Sequence, residues 1–257
     1  MRHLVCSRWI LLAALLLIAS CAAHRRQGEA AIYAVVPDGA FRSYLLHNGY
    51  AERVFGRTLR STAKGRALEE MACYEKGIKS LRGIEMFPQL KTLICSGNPI
   101  TTLDLNALPQ LEKLHGIHMP LQRIDIDSCH RLQMIELSYT QLSGFDLRPF
   151  PELTYFFCIF SPLTRLDLSP CPAMKSVYIR GTKITDIDLT PCTDFFQLHA
   201  TDTPLRTIPL PPSNIWATSR SRATTASPLW SRRRGSLVTL LYRGNSDICF
   251  LADAAHL

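Results

Sequence analysis

The stretch from Leu90 to Leu105, LKTLICSGNPITTLDL, decides the fold of this 257-residue chain. Its apolar pattern returns every 21 residues in six consecutive segments, without an insertion or a deletion. Apolar residues stand at the start of each segment and three, ten, thirteen and fifteen residues later. The segments start at Leu90, Leu111, Leu132, Leu153, Met174 and Phe195. Such a period indicates a stack of similar structural units.

Each segment, called a coil below, contains two halves with the spacing L-x-x-L-x-[LC]. The alternation of apolar and polar residues within each half predicts a strand with one buried face. A single coil cannot enclose its own leucines, so they are buried only when coils stack. Strand pairing advances the stack by about 4.8 Å per coil, which gives a rod about 30 Å long.

The stretch Leu90–Leu105 resembles the 21-residue class of bacterial leucine-rich repeats. The segment Ile78–Leu90 resembles the partial first coil of that family, and Pro37–Leu45 resembles its N-terminal flank. The resemblance implies a β-rich solenoid, a right-handed coil with short parallel strands and a small helical N-terminal cap. The chain departs from the family at Asn98, the only asparagine at its coil position. Hydroxyl groups are expected to replace the amide in most of the other coils, which carry Met119, Thr140, Ser161, Thr182 and Thr203.

The domain boundaries follow from the repeats. We assign residues 22–36 to a linker, 37–77 to a helical N-terminal cap, 78–212 to the solenoid and 213–257 to a basic tail without repeats. Within the cap, Asp38–Leu46 and Ala67–Ala72 have helical composition. Such a cap is needed to shield the open end of a repeat stack. In the tail, Ser236–Tyr242 could form one strand that covers the last coil.

Residues 1–21 have the pattern of a bacterial lipoprotein signal peptide. Arg2 and Arg8 precede an apolar run, Trp9–Ile18, that is too short to span a membrane. The run ends in LIASC, which resembles a lipobox and implies that Cys21 receives a lipid. The alternative is an ordinary signal peptide that is cleaved near Ala22 or Ala23.

The net charge of +8 is distributed unevenly along the chain. The repeats, residues 69–212, have more acidic than basic residues, and the excess positive charge lies in the two flanks. A nucleic-acid groove on the solenoid is therefore not expected. The run Arg232–Arg234 has the pattern of a solvated charged segment, although the basic flanks leave nucleic-acid binding open as a third hypothesis.

Most cysteines of the repeats occupy core positions. Cys95 and Cys158 share one coil position, and Cys129, Cys171 and Cys192 share another. Other coils place residues such as leucine or phenylalanine there, so these cysteines are expected to fill the core. Cys171 and Cys192 would lie within disulfide reach in neighbouring coils, but parallel inward side chains disfavour the bond. No C-x-x-C pair is present, so no zinc site is expected.

Two outward-facing sets of residues are candidate sites. The first is an acidic stripe with one aspartate in each of five coils, which either binds a cation or a basic partner or bonds to the local backbone: Asp104, Asp125, Asp146, Asp167 and Asp188. The second is an aromatic patch of Tyr155, Phe157 and Tyr178 beside Met134, with His115 and Glu136 as neighbours across coils. Exposed contiguous aromatic residues mark a contact surface, unless the cap or the tail covers them.

The sequence shows no nucleophile motif, phosphate-binding loop or H-E-x-x-H, so neither enzymatic activity nor a cofactor is expected. We therefore expect a monomeric, non-enzymatic protein of the bacterial cell envelope, lipid-anchored at the outer membrane or cell surface. It would bind a protein partner, or a glycan, through the aromatic patch. The alternative is a structural envelope protein without a dedicated ligand.

Overall fold

The structure, a computed structural model, describes residues 31–195, 197–206, 208–209, 239–243 and 247–251. The expected signal peptide, its Cys21 and most of the linker and tail lie outside these residues. Tyr33 and the described residues that follow belong to one compact unit. None of the described helices is long and apolar enough to cross a membrane.

The secondary structure of the described residues consists of short strands, two helices and one 3-10 turn. The elements are, in chain order, β1 Tyr33–Val35, α1 Gly39–His47, β2 Ala51–Phe55, β3 Thr58–Ser61, α2 Ala63–Arg66, β4 Glu70–Ala72, the 3-10 turn Ile84–Met86, β5 Thr92–Ile94, β6 Thr102–Asp104, β7 Lys113–His115, β8 Arg123–Asp125, β9 Met134–Glu136, β10 Tyr155–Phe157, β11 Ser176–Tyr178, β12 Gln197–His199, β13 Thr239–Arg243 and β14 Asp247–Leu251.

One long sheet runs through the solenoid, and each coil adds one parallel strand to it. Its order is β4-β5-β7-β9-β10-β11-β12-β13-β14. Leu93 pairs in register with Leu114, and Leu114 with Ile135, and all three side chains are fully buried. The apolar residues are therefore shielded by those of the neighbouring coils. The predicted β-solenoid of stacked coils with short parallel strands is confirmed.

The sheet begins one coil earlier than we expected. Ala67–Ala72 was predicted to be helical, but Glu70–Ala72 forms β4 and pairs in parallel with β5. Met71 pairs with Leu93, which is 22 residues later, so this coil does not follow the 21-residue period. The prediction of a helix at Ala67–Ala72 was wrong because tertiary pairing with β5 overrides local helix propensity.

The second half of the coil forms strands less often than its alternation predicts. Within the described residues, only β6 and β8 form such a ladder, a two-stranded parallel sheet. Later coils keep isolated backbone bonds, such as Thr164 N to Ser143 O at 3.2 Å. Leu163 and Leu166 are nevertheless buried. The alternation in these coils reflects burial of one side of the chain and does not require a ladder.

The cap combines one helix with an antiparallel sheet. Helix α1 covers most of the predicted Asp38–Leu46 segment, and the Asp38 carboxylate caps it by accepting from Phe41 N at 2.7 Å. The helix buries Phe41 and Leu45. Strands β1, β3 and β2 form a three-stranded sheet in that order. Sheet and helix together therefore make up the region that we expected to be helical.

Polar side chains close the bend after the strand in most of the coils. The Asn98 amide donates to Cys73 O and Cys95 O at 2.8 Å, and its carbonyl accepts from Lys76 N and Ile78 N at 3.0 Å. In other coils a hydroxyl donates to a strand carbonyl. Thr140 donates to Leu137 O, Thr182 to Ile179 O and Thr203 to Ala200 O, at 2.9, 2.7 and 2.6 Å. The expected replacement of the amide by hydroxyl groups is confirmed in these coils.

At the far end of the long sheet, β13 pairs in parallel with β12, and β14 pairs antiparallel with β13. The expected strand near Ser236–Tyr242 is therefore present as Thr239–Arg243. Six cysteines are free and buried, namely Cys73, Cys95, Cys129, Cys158, Cys171 and Cys192. Five of them are the repeat cysteines that we expected to fill the core.

Candidate functional site

The outward face of the long sheet, called the strand face below, carries the predicted aromatic patch. Tyr155, Phe157 and Tyr178 belong to the adjacent strands β10 and β11, and all three are half-buried. The rings of Phe157 and Tyr178 stack with their centroids 4.6 Å apart. His199 of β12 extends this stack, with its ring centroid 4.1 Å from that of Tyr178. Parallel strands in register therefore place three rings in one column across three coils.

The same column continues toward the cap through a polar pair. His115 of β7 lies beside Glu136 of β9, as expected, with 2.8 Å between Nδ1 and Oε2. Both side chains are about one quarter exposed. Glu136 is in turn the strand neighbour of Phe157. The column thus changes from polar to aromatic along the solenoid.

A second column on the strand face lies two residues earlier in each strand. Met134 is the strand neighbour of Tyr155, and Tyr155 is the neighbour of Ser176. Ser176 is buried and lies 3.2 Å from the Gln197 Oε1 atom to which its hydroxyl donates. The predicted residues Tyr155, Phe157, Tyr178, Met134, His115 and Glu136 are therefore contiguous. His199 and Gln197 extend the surface by one coil.

Burial shifts the pKa values of two groups in the ring column. It raises the pKa of the Tyr178 hydroxyl above its ordinary value. It lowers the pKa of His199, because desolvation penalises the charged imidazolium. The Nε2 atom of His199 is 2.8 Å from the side-chain nitrogen of Gln197. The aromatic end of the face is therefore largely uncharged at neutral pH.

The aspartates of the acidic stripe face outward, but most of them bond to the neighbouring backbone. Asp146, Asp167 and Asp188 each accept from the backbone N–H two residues later, at 2.8–2.9 Å. Asp104 does the same from Asn106 N at 3.1 Å. The Asp125 carboxylate accepts instead from the Asn106 amide at 2.5 Å. These bonds favour the structural interpretation of the stripe.

Two carboxylates of the stripe have lowered pKa values. A side-chain hydrogen bond from Arg148 lowers the pKa of Asp146, and the backbone N–H of Ser169 lowers that of Asp167. Arg148 follows Asp146 by two residues in the chain. Its guanidinium reaches back to both carboxylate oxygens of Asp146. The stripe therefore attracts a cationic partner less strongly than five free carboxylates would.

A second aromatic feature was not found from the sequence. His118, Tyr139 and Phe160, called the ring ladder below, occupy the turn after the strand in three successive coils. The centroids of His118 and Tyr139 are 4.3 Å apart, and those of Tyr139 and Phe160 are 5.3 Å apart. The Arg180 guanidinium lies 5.1 Å from the centroid of Phe160 and bonds to Asp202. Tyr139 and Phe160 are 44% and 42% exposed.

The three residues of the ring ladder have a backbone conformation that bulky residues rarely adopt. His118, Tyr139 and Phe160 have φ angles of 54°, 57° and 49°, in the left-handed region. The equivalent positions in neighbouring coils are Gly97 and Gly181, at 69° and 67°. Glycine at this coil position was the available sequence signal, because it marks a turn that requires positive φ. Ring stacking helps to offset the cost of placing the three larger side chains there.

A cleft of about 700 Å³ lies near the start of the solenoid, beside β6 and β8. Its lining includes Arg82, Glu85, Asp104, Arg123 and Asp125. The Asp104 and Asp125 carboxylates that face it are already engaged by Asn106. Within the described residues, no group of three or more His, Cys, Asp or Glu side chains could hold a metal ion.

Comparison with known proteins supports the fold. No protein-family model matches the chain, and no curated protein matches it. Among solved structures, the functional domain of InlJ from Listeria monocytogenes matches with a TM-score of 0.50 and 22% sequence identity. The match covers 56% of this chain and 40% of the InlJ chain. The likeness therefore supports a leucine-rich-repeat-like solenoid.

The InlJ domain is described as including a cysteine ladder. In this chain, buried cysteines lie in neighbouring coils as two pairs, Cys73 with Cys95 and Cys171 with Cys192. Burial raises the pKa of Cys73, Cys171 and Cys192 to about 12, and that of Cys95 above its ordinary value. These thiols are core groups that are protonated at neutral pH.

Proposed function

We propose that this chain is a non-enzymatic binding protein of the bacterial cell envelope, held there by a lipid on Cys21. It captures a protein partner on the strand face around Tyr155, Phe157 and Tyr178. The observation that carries the proposal is the column of Phe157, Tyr178 and His199, which presents aromatic groups from three successive coils on one face. Aromatic side chains dominate the energetic centres of protein interfaces.

The geometry of the rings favours a protein over a glycan. Sugars stack on an open ring face, but Phe157 and Tyr178 cover one another, with 25° between their planes. Tyr178 and His199 are within 9° of parallel. The column consequently offers ring edges and half-buried apolar area to the solvent. Such a surface fits apolar side chains of a protein partner.

The polar end of the face supplies specificity. A partner that covers the rings would also desolvate the His115–Glu136 pair, whose side chains are already about three quarters covered. Truncating one member of a desolvated charged pair weakens binding strongly. Both histidines of the column are also engaged by polar neighbours, His115 by Glu136 and His199 by Gln197. These contacts support a role of both histidines in binding.

The test replaces the three aromatic residues together, as Tyr155→Ser, Phe157→Ser and Tyr178→Ser. The bait is the full chain expressed in bacteria and cross-linked in the envelope before purification. The expected result is at least a tenfold loss of a reproducible cross-linked protein. A matched control, Tyr139→Ser with Phe160→Ser, removes two stacked rings from the turn edge and leaves the strand face intact.

The three rings are half-buried and partly stacked, so the triple variant is expected to lose some stability as well. Its thermal unfolding is compared with that of the control variant, and capture is measured well below both melting temperatures. Capture by the triple variant at the wild-type level would exclude the aromatic patch. If the wild-type protein captures no reproducible partner, the structural envelope protein without a ligand is favoured.

The envelope anchor has its own test. Bacteria that express wild type or Cys21→Ser are grown with a labelled fatty acid, and the chain is isolated. We expect label on the wild-type chain and none on the variant. Access of an external protease to intact cells then distinguishes an outward-facing protein from a periplasmic one. An unlabelled wild-type chain would exclude the lipid anchor and would leave the solenoid fold unaffected.

A further inference from the structure

The outer face of the cap sheet collects most of the exposed apolar side chains in the described chain. Seven large apolar or aromatic residues are strongly exposed, and four belong to β1 and β2. We call these four residues the sheet patch: Tyr33, Val35, Val54 and Phe55, which are 49%, 51%, 50% and 84% exposed. The cap helix and the first coils leave this side of the sheet uncovered, so it is available for a contact.

Strand register explains how the sheet patch forms. Val35 of β1 pairs with Thr58 of β3, and Thr58 pairs with Phe55 of β2. The three side chains therefore form one row across the sheet. The register between β2 and β3 shifts between Arg53 and Phe55, which leaves Val54 as an extra residue in the strand. Both Val54 and Phe55 are consequently exposed next to the hairpin turn at Gly56.

Basic residues surround this apolar hairpin tip. Arg53 and Arg57 flank Val54 and Phe55, and both are exposed. Among the described residues, neither guanidinium has an ion-pair partner. Arg60 in the neighbouring row pairs with Glu52 at 2.6 Å. Residues 31–68 contain six basic residues against Asp38 and Glu52. The tip of the hairpin is therefore an apolar surface that is surrounded by basic residues.

We propose that the sheet patch is a docking surface for an anionic lipid bilayer. An aromatic and aliphatic tip enters the headgroup region, while Arg53 and Arg57 contact lipid phosphates. Charge complementarity supports this proposal. Two arginines without an ion-pair partner in the described part of the chain lie beside an exposed phenylalanine, and an anionic bilayer has negatively charged headgroups above an apolar interior. A protein partner of the strand face would leave this sheet free.

The inference rests on the proposed lipid anchor for its context. Eleven residues separate Cys21 from Tyr33, so the chain between them spans at most about 40 Å when extended. A lipid at Cys21 would keep β1 within that distance of the bilayer. One lipid signal and one basic, apolar contact together hold a protein on a membrane more firmly than either alone. Docking would also fix the orientation of the cap, which a flexible anchor cannot do.

The experiment measures protection of the hairpin on vesicles of two compositions. Full-length protein from bacterial membranes is reconstituted into neutral phosphatidylcholine vesicles or into vesicles that also contain phosphatidylglycerol. Trypsin cleavage after Arg53 and Arg57 is followed by mass spectrometry. Cleavage after Arg180, an exposed arginine of the solenoid, is the internal reference. We expect at least tenfold slower cleavage of the hairpin on the anionic vesicles only, and loss of this protection at high salt.

Matched variants separate the contribution of the apolar side chains to the protection from that of the basic side chains. Phe55→Ser is expected to lower the protection about tenfold. Arg57→Ser, which removes one cleavage site and is therefore compared with wild type by cleavage after Arg53 alone, is expected to lower it about fivefold, the equivalent of about 1 kcal/mol for one basic residue near an anionic surface. Tyr74→Ser is the control, because Tyr74 is 53% exposed near Lys76 but lies outside the cap sheet. Phe55 is so exposed that its replacement should not change thermal unfolding.

Three outcomes would overturn the inference. These are equal hairpin cleavage on both kinds of vesicle, full protection of Phe55→Ser, or protection that appears without vesicles as protein concentration rises. The last result would assign the sheet patch to self-association. Flotation on neutral vesicles reports the anchor separately. Failure to float there, together with hairpin protection on added anionic vesicles, would reject the anchor and retain the docking surface.

Discussion

The rings of Tyr178 and His199 lie 4.1 Å apart and within 9° of parallel, so an imidazole terminates the aromatic column of the strand face. The two residues are 21 positions apart and meet because β11 and β12 pair in register. Burial lowers the pKa of His199, and this shift has a consequence for stability.

Acidification should weaken the fold through His199. The pKa of His199 is lowered in the folded state, so the unfolded chain binds more protons just below pH 6.5, and stability falls as pH decreases through that value. We expect His199→Gln to lose stability less steeply with falling pH than wild type. Urea unfolding from pH 7.5 to pH 5 measures this difference.

The control for this prediction is His130→Gln, since His130 is exposed and outside the ring column. That variant should keep the wild-type slope. Identical slopes for His199→Gln and wild type would show that protonation of His199 does not contribute to acid sensitivity.

Replacing Asn98 should destabilise the first coils more than any hydroxyl replacement at the same coil position. Asn98→Ala removes the partners of two backbone N–H groups and two carbonyls, all at 2.8–3.0 Å. We expect a loss of about 3 kcal/mol, because each buried unsatisfied polar group costs about 1–3 kcal/mol. Thr182→Val removes one bond, to Ile179 O, and should cost about 1 kcal/mol. Chemical denaturation of both variants gives the comparison, and equal losses would contradict it.

The buried cysteines should resist alkylation until the chain unfolds. Burial raises the pKa of Cys73, Cys129, Cys171 and Cys192 to about 12, so the reactive thiolate is scarce at pH 8. We expect iodoacetamide to label these four positions at least a hundredfold faster in denaturant than in buffer. Mass spectrometry of the digested protein identifies each modified cysteine. Rapid labelling of Cys171 or Cys192 in the native protein would show that the core opens there.

Glycine should be better tolerated than alanine at Phe160. Both replacements remove the contacts with Tyr139 and Arg180, but only glycine adopts a φ of 49° without strain. We expect Phe160→Gly to be more stable than Phe160→Ala by about 1 kcal/mol. Calorimetric melting of the two variants tests this order. The same pair of replacements at Phe157, where φ is not positive, should show no such advantage for glycine.

Much of the solenoid could be predicted because its period is strict. The register of Leu93, Leu114 and Ile135 follows from the 21-residue spacing alone, and so does the contact between His115 and Glu136. Strand β4 was missed because Met71 precedes Leu93 by 22 residues. Because of this one extra residue, the first coil does not fit an exact 21-residue period and was not recognised from the sequence.

The ring ladder and the sheet patch were missed for a different reason. Tyr139 and Phe160 are aromatic residues in a turn, and their ring contact depends on a left-handed backbone that composition does not reveal. The exposure of Phe55 depends on an irregular pairing of β2 with β3 next to the hairpin turn. Periodicity predicts which residues share a face, whereas the conformation of strained turns and bulges is seen only in the three-dimensional structure.

Each coil presents to the next the same backbone edge that it receives from the previous one. A gene segment of 21 codons, inserted between equivalent points of two coils, would therefore lengthen the protein by one layer of about 4.8 Å without disturbing its junctions. The area available for recognition can in this way grow or shrink in fixed increments during evolution, while the ends of the stack keep their own distinct contacts.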